Sequence, residues 1–271
     1  MNLKELPRIQ KRRAFEYQER VRIERVDGEV VAKNTDGDRR LNPLQIACLM
    51  LGPGVSITHA AVALVTKSGC SIVWCGEDGG RVYASSNGGS RSCKNAMLQA
   101  KKWADPKSNI EVVKKLYSKR FKEPLSGILS VNQIRGLEGV RVRESYKEWS
   151  RLTGVQWHGR VDHDDDWNRG DVVNRALSVG NSCLYGVCHA ALLSCGFLPA
   201  LGFIHTDQIL SFVYDVADLY KHRTTIPLAF KVAAEGPDNV ETRARKSFLS
   251  HAKKTRLLNE IVPDVYDALS I

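Results

Sequence analysis

The sequence predicts an α+β protein with a small β-rich N-terminal domain, residues 1–83, and a larger all-α C-terminal domain, residues 96–271. Three observations predict this division. Short apolar runs bounded by glycine and proline, which are typical of strands, are concentrated in residues 20–85. Helical periodicity then continues from Ala96 almost to the C-terminus. Between the two patterns, residues 84–95 are small and polar, a composition typical of a linker.

The β-rich region is predicted to contain a hairpin, two buried strands and one helix. Residues 21–31 alternate apolar and polar side chains around Asp27-Gly28, and this dipeptide favours the positive φ angles of a tight hairpin turn. Residues 46–51 and 71–75 are short apolar runs that end at glycine, which predicts buried strands. The intervening residues 59–67 have the composition of a helix.

One predicted helix of the C-terminal region has an acid on its apolar face. The helix runs from a capping residue, Ser130, to a glycine stop, Gly154. Glu138 lies on its apolar stripe, four residues after Ile134 and four before Val142. A carboxylate that faces a protein interior is costly unless it is paired or binds a metal. Glu138 is therefore a candidate metal ligand or a partner in a buried ion pair.

A long uncharged segment, residues 183–204, matches a membrane span in length. Gly196 and Pro199 interrupt it, however, and indicate that one helix stops and another begins. We therefore predict a central core helix followed by a second buried segment, and no membrane span. The N-terminus has no apolar signal region, which predicts a cytoplasmic protein.

A second candidate site lies just beyond this segment. His205 stands in an apolar setting, and the helix predicted to follow an N-cap at Ser211 has Asp215 and Asp218 three residues apart on one face. Carboxylates with one imidazole suit Mg²⁺ or Mn²⁺. The same residues also fit a site without metal, in which Glu138 and His205 form a buried ion pair and the aspartates are solvated. Composition and spacing leave both alternatives open.

The charge balance indicates an acidic partner. The formal net charge is +10, and phosphate backbones are the usual target of such an excess. The seven cysteines include no C-x-x-C pair, which argues against a zinc ribbon. Candidate contacts to a DNA backbone flank Glu138 or lie in the last helices: Arg135, Arg141, Arg143, Arg245 and Lys246.

Four motifs of the helical region carry a resemblance to a known family. They are RGLEGVRVR at 135–143, SCLYGV at 182–187, GFIHT at 202–206 and SFVYDVAD at 211–218. Together they closely resemble CRISPR-associated protein one, the spacer-acquisition integrase, in its type I-E (Cascade) form. Residues 51–62 and 73–84 resemble the N-terminal domain of the same family, and the resemblance covers residues from about 15 to 270.

The resemblance implies the roles of individual residues. Glu138, His205 and Asp218 are implied to be ligands of Mg²⁺ or Mn²⁺. Asp215 is implied to be a supporting acid, and Tyr185 a site residue near the reacting DNA ends.

The resemblance also implies a reaction and an assembly. The protein would insert a double-stranded protospacer into the CRISPR repeat by attack of a DNA 3′-hydroxyl on a phosphodiester. It would form a homodimer, and two dimers would clamp a dimer of CRISPR-associated protein two. Arg81 and Lys221 are implied to contact phosphate.

Overall fold

A computed structural model describes the protein at residues 8–35, 37–76, 82–86, 92–121, 131–160 and 171–271. In these ranges eight strands, one α-helix and two short 3-10 helices (Ile9–Lys11 and Pro43–Gln45) form the N-terminal part, and eight further α-helices follow. The strands and first helix are β1 Arg13–Gln18, β2 Arg22–Val26, β3 Glu29–Asn34, β4 Gly37–Leu41, β5 Ile46–Leu51, β6 Ser56–Ile57, α1 His59–Lys67, β7 Ser71–Cys75 and β8 Val82–Ser85. The later helices are α2 Lys94–Ala104, α3 Pro106–Phe121, α4 Val131–Thr153, α5 Val172–Cys195, α6 Ser211–Lys221, α7 Thr225–Ala234, α8 Val240–Lys254 and α9 Leu257–Ala268.

The strands form two four-stranded sheets, with the orders β1-β5-β7-β8 and β4-β3-β2-β6. The predicted hairpin is confirmed as the antiparallel pair β2–β3. At its turn Asp27 has a φ of 48° and Gly28 a φ of 83°, the left-handed conformation that the Asp-Gly dipeptide accommodates. The predicted strands at 46–51 and 71–75 and the predicted helix at 59–67 are also present with these bounds.

The central strand β5 is buried on both faces, because a parallel sheet is covered on each side. Leu49 and Leu51 face a core shared with α1 and the second sheet. Cys48 and Met50 face the opposite way, into a core that continues through the helical region. The β-rich and helical regions therefore share one buried core along β5.

Helix α5 is the centre of the helical region, and α6, α7, α8 and α9 pack around it. Among the described helices it is long and apolar enough to cross a membrane, but 83% of its apolar window is buried inside the protein. It ends at Cys195, and Gly196 caps it in the left-handed conformation. The prediction of a core helix with a stop at Gly196 is confirmed.

Two predicted boundaries differ from the structure. No helix begins at Pro199; the chain is irregular until α6 starts at Ser211, and the N-cap is Leu210, whereas Ser211 was predicted to be the cap. The predicted linker, residues 84–95, is shorter at both ends, since 84 and 85 belong to β8 and 94 and 95 to α2. Strand pairing is made by backbone groups and does not require a particular composition, as the pairing of Ala84 with Trp74 shows.

Candidate functional site

Three helices meet at a buried arginine. Arg120, near the end of α3, uses one nitrogen, Nη1, to bond both Oε1 of Glu138 on α4 and, at 3.2 Å, Oδ2 of Asp218 on α6. The side chains of these three residues are 6%, 19% and 11% exposed, so the contacts are largely shielded from water. Two carboxylates that are 80 residues apart in the chain therefore converge on one positive charge.

Arg120 reaches this place because it lies on the apolar stripe of its own helix. Val113, Leu116 and Tyr117 are buried on the same face of α3. The Tyr117 hydroxyl donates a hydrogen bond of 2.6 Å to Oε2 of Glu138. The sequence analysis missed Arg120 and Tyr117, although a cation on one apolar stripe is a natural partner for an acid on the next.

Glu138 lies where the sequence predicts, on the face of α4 that contains the fully buried Ile134. Its carboxylate pairs with Arg120 and Tyr117. The alternative in which Glu138 pairs with His205 is therefore wrong, because the His205 ring bonds to Asp215 instead. Gly154 follows the end of α4 with a φ of 71°, as expected of a helix stop, whereas Ser130 lies outside the described residues.

Asp218 lies between two cations. Its Oδ1 is 2.7 Å from the ammonium of Lys221, one turn later on α6, and its Oδ2 is 3.2 Å from Arg120. Burial alone raises the pKa of the Asp218 carboxyl, but the charges of Lys221 and Arg120 outweigh burial and hold this pKa below its ordinary value. Asp218 is accordingly ionised at neutral pH.

Asp215 holds His205 and the loop that carries it. Its fully buried carboxylate accepts hydrogen bonds from the backbone amides of Phe203, Ile204 and His205, at 2.6, 3.1 and 2.9 Å. It also bonds Nδ1 of the His205 ring at 2.7 Å, and this bond raises the pKa of His205 above its ordinary value although burial opposes the rise. Gly202 permits the tight loop, because a side chain there would collide with the His205 carbonyl oxygen.

The bond to Asp215 also fixes which ring nitrogen of His205 is available. An ionised carboxylate only accepts, so Nδ1 carries the proton and Nε2 of the neutral ring keeps its lone pair. A histidine oriented by a carboxylate in this way is a common arrangement behind metal ligands. Asp215 and Asp218, both on α6, each have their own partners, and the charges of both carboxylates contribute to the raised pKa of His205.

Tyr185 on α5 belongs to the same cluster. Its ring packs edge-on against Tyr214 at 4.9 Å, and the Lys221 ammonium lies 4.9 Å from its centre. Tyr214 in turn packs edge-on against the His205 ring at 5.9 Å. The cluster around α6 thus contains Tyr185, His205, Asp215, Asp218 and Lys221.

The donor set fits a divalent cation in its chemistry. Glu138 and Asp218 already converge on a cation, and His205 offers an unprotonated nitrogen when its ring is neutral. Across the described parts of the chain, however, no three acidic, histidine or cysteine side chains stand close enough together to hold an ion. Arg120 takes the central place between the carboxylates. The three-ligand set therefore stays a prediction.

A cavity of about 680 Å³ opens beside Glu138. Trp157 and Tyr146 stack on each other in its wall, with ring centres 4.4 Å apart. Arg143, Lys147 and Arg160 line the same cavity. Basic side chains and flat aromatic surfaces next to an acidic centre are suited to an anionic, base-bearing polymer.

The other basic residues that were predicted to contact DNA do not share the same surroundings. Arg141 stacks over the Phe121 ring at 4.7 Å. Lys246 is exposed and lines a second cavity, of about 410 Å³, between β1 and α8. Arg81 and the side chain of Arg135 lie outside the described residues.

Arg245 differs from the other basic candidates because it is only 10% exposed. Its guanidinium lies 4.3 Å from the centre of the Tyr17 ring and 3.9 Å from the Glu19 carboxylate. It thereby packs α8 against the end of β1. This position leaves little of Arg245 available to a phosphate, in contrast to the sequence-based expectation.

Comparison with known proteins gives one consistent result. A family model described as CRISPR associated protein Cas1 matches residues 118–262. A CRISPR-associated endonuclease Cas1 2 of Thermus thermophilus is 47% identical over 264 residues, which are 97% of this chain and 81% of that protein. A CRISPR-associated endonuclease Cas1 of Geobacter sulfurreducens is 41% identical over 99% of this chain and 88% of its own length. The crystal structure of a TtCas1-DNA complex superposes with a TM-score of 0.84 at 44% identity, covering 93% of this chain and 90% of that one.

Proposed function

The chain belongs to the Cas1 family of CRISPR-associated proteins, and from this premise we propose that it is a metal-dependent DNA integrase of the type I-E form. The observation that carries the proposal is the convergence of the Glu138 and Asp218 carboxylates on one cation, beside a histidine oriented by Asp215. Its relatives are named endonucleases, which fits an enzyme that acts on phosphodiesters.

Double-stranded DNA is the proposed substrate. A related protein, 44% identical, has been crystallised in complex with DNA. The net charge of +10 and the basic lining of the cavity beside Glu138 support the same partner. Binding carried by such charges weakens as salt rises, because counterions released from DNA oppose it.

The proposed reaction is a transesterification between a protospacer end and the CRISPR repeat. The oxygen of a protospacer 3′-hydroxyl forms a new bond to a repeat phosphorus and loses its proton, and the repeat 3′-oxygen leaves with the electron pair of the broken bond. Mg²⁺ or Mn²⁺ held by Glu138, His205 and Asp218 would supply Lewis-acid polarisation of the phosphate.

The other residues of the cluster have positioning roles in this proposal. Asp215 keeps the His205 ring in one orientation and tautomer. Lys221, partly buried next to Asp218, would place a positive charge near the reacting phosphate. Tyr185, in contact with Lys221, offers a hydroxyl to a DNA end.

We further propose that the chain forms a homodimer and that two dimers assemble with CRISPR-associated protein two. Family membership supports this part of the proposal. The small partner would span the distance between two active sites and so set the spacing of the two DNA ends.

Two alternatives have specific support. The Arg120–Glu138 ion pair favours a non-catalytic scaffold that only holds DNA, because the carboxylates are already compensated without an ion. The endonuclease names of the relatives also fit a nuclease that cuts branched DNA alone. The first alternative predicts no metal dependence, and the second predicts activity that does not change when the small partner is added.

An integration assay separates the three functions. A labelled protospacer duplex with free 3′-hydroxyl ends is incubated with a supercoiled plasmid that carries a CRISPR repeat. Reactions contain Mn²⁺ or a chelator, each with and without CRISPR-associated protein two. We expect joined product only with both the ion and the partner. Joining in the chelator would contradict the proposal, as would cleavage of branched DNA without the partner in place of joining. DNA binding without any product would favour the scaffold.

A further inference from the structure

We propose that Arg120 is a built-in counter-ion of the site, so that a divalent cation binds tightly only together with a DNA phosphate group. The inference rests on the proposed function, because it concerns the ion that Glu138 and Asp218 are proposed to hold. It assigns to Arg120 a positioning role: it holds the two carboxylates in place before the ion and DNA arrive.

The first observation is that a protein hydroxyl or cation lies next to every carboxylate oxygen of Glu138 and Asp218, although Oδ1 of Asp218 has only the ion pair with Lys221 and no hydrogen bond among the described residues. Arg120 contacts Oε1 of Glu138 and Oδ2 of Asp218 through Nη1. Tyr117 donates to Oε2 of Glu138 at 2.6 Å, and the Lys221 ammonium lies 2.7 Å from Oδ1 of Asp218. An incoming ion must therefore displace or share at least one of these contacts.

The second observation is the balance of charge. The negative charges of Glu138 and Asp218 are matched by the positive charges of Arg120 and Lys221, which pair with them directly. A divalent cation added to this balanced, mostly buried group leaves an excess of two positive charges, which is unfavourable where water is scarce. DNA phosphates in the same place supply the missing negative charge, so ion and DNA should each strengthen binding of the other.

The third observation is that the guanidinium of Arg120 is anchored weakly. Both carboxylates contact the same nitrogen, Nη1, in contrast to a two-nitrogen fork on one carboxylate, which is the stronger geometry. Its Nε has no hydrogen-bond partner among the residues that the structure describes. The guanidinium is therefore less firmly anchored than its burial alone implies.

The fourth observation is a cavity that could accept the Arg120 side chain when an incoming ion displaces it. Arg120 lines a cavity of about 330 Å³ whose wall also contains two other acids of α4, Glu144 and Glu148. Phe121 borders the same cavity and already stacks on Arg120 at 5.2 Å. A rotation of the side chain can thus move the guanidinium from Glu138 toward new carboxylates without exposing it fully to water.

The test measures Mn²⁺ binding to the full-length protein by electron paramagnetic resonance, with and without a duplex oligonucleotide that has 3′-hydroxyl ends. Mn²⁺ held by DNA itself is subtracted with the Asp218→Ala protein, which lacks a proposed ligand. We expect the wild-type protein to bind Mn²⁺ about tenfold more tightly with DNA than without it. Wild-type affinity that is equal in the two conditions would overturn the inference, and this comparison needs no variant of Arg120.

Arg120→Gln tests the role of this residue directly. Without the guanidinium, the carboxylates repel each other, and we expect Mn²⁺ to bind about tenfold more tightly in the absence of DNA and to raise the melting temperature more than in the wild type. Lys119→Gln is the matched control, since it removes one charge from the neighbouring position, whose ammonium pairs with Asp264 and Asp267. We expect Lys119→Gln to bind Mn²⁺ as the wild type does.

The outcomes distinguish this inference from the proposed function. Equal Mn²⁺ affinity of wild type and Arg120→Gln, at a level that Asp218→Ala abolishes, would overturn the inference and leave the proposed metal site standing. Absence of Mn²⁺ binding to all the proteins, even with DNA, would overturn both.

Discussion

Glu138 and Asp218, on different helices, share one positive charge: Nη1 of the buried Arg120 contacts an oxygen of each. This relationship explains how two acids can approach each other inside the protein without a metal, because the guanidinium offsets their repulsion. It also makes the site sensitive to the loss of any one of the three side chains.

Glu138→Ala should destabilise the folded protein by about 2 kcal/mol, because it removes one partner of a buried, charged hydrogen bond. The loss is limited because Arg120 keeps its contact with Asp218. Urea unfolding, followed by circular dichroism, measures it. Glu144→Ala, on the exposed face of the same helix, is the control and should change stability by less than about 0.5 kcal/mol. Equal stability of the two variants would show that the ion pair contributes nothing to folding.

Asp215→Asn should lower the pKa of His205, because the carboxylate bond to Nδ1 is the main cause of its rise. It should also destabilise the protein by about 3 kcal/mol, since an amide nitrogen cannot accept from the backbone amides that now bind the carboxylate. Histidine NMR titration and urea unfolding measure the two effects. Asp207→Asn, an exposed acid of the same loop, is the control. An unchanged pKa of His205 would contradict the assigned contact.

Because His189 is buried, we predict that the folded protein loses stability in mild acid. Burial lowers its pKa to about 4, below the ordinary value of about 6.5. Protonation thus favours the unfolded chain, so this contribution is intact above pH 6.5 and is lost as the pH falls toward 4. The full effect is about 3 kcal/mol. Its Nε2 lies 3.3 Å from the Ser85 hydroxyl, a contact that a glutamine side chain can replace.

The measurement is urea unfolding between pH 4 and pH 7 for the wild type and His189→Gln. The difference in stability between them should change by about 3 kcal/mol over this range. His158→Gln, at an exposed histidine, should follow the wild type. A constant difference between wild type and His189→Gln would mean that His189 does not titrate as its burial requires.

Arg143→Ala should weaken DNA binding for all sequences alike, because the side chain lines the cavity beside Glu138 and would contact the backbone. The slope of a plot of log affinity against log salt concentration should decrease in magnitude by about 1. Fluorescence anisotropy at several salt concentrations measures both quantities. Lys67→Ala, at an exposed lysine that ends α1, should leave affinity and slope unchanged. If the two variants behaved alike, the cavity would not be part of the DNA surface.

Local patterns in the sequence predicted most of the elements. Three of the confirmed features depend only on neighbours within a few residues. They are the Asp27-Gly28 turn, the apolar run that forms β5 and the apolar stripe on which Glu138 lies. Strand β8 was not predicted, because it is defined by an antiparallel backbone pairing with β7 that includes a register shift between Trp74 and Cys75. Composition carries no signal for such a contact.

The residues that belong to the site were easier to predict than the hydrogen bonds and ion pairs between them. The position of Glu138 follows from helical periodicity, but its pairing with Arg120 depends on how α3 packs on α4. Asp215 and Asp218 would lie three residues apart in any helix. In this protein, however, Asp215 binds a loop backbone, whereas Asp218 pairs with two cations. Only tertiary packing decides between such roles. The resemblance to the Cas1 family, which the comparisons confirm, named the site residues that periodicity alone left ambiguous.

The most direct test of the central proposal is strand transfer by Glu138→Ala. A labelled protospacer and a plasmid with a CRISPR repeat are incubated with Mn²⁺ and CRISPR-associated protein two, at protein concentrations that give equal DNA binding. The proposal predicts that Glu138→Ala loses joined product by at least about 100-fold, since a metal ligand is gone, whereas Glu111→Ala, at an exposed acid of α3, joins DNA as the wild type does. Joining by Glu138→Ala at the wild-type rate would contradict the assignment of Glu138 to the active site.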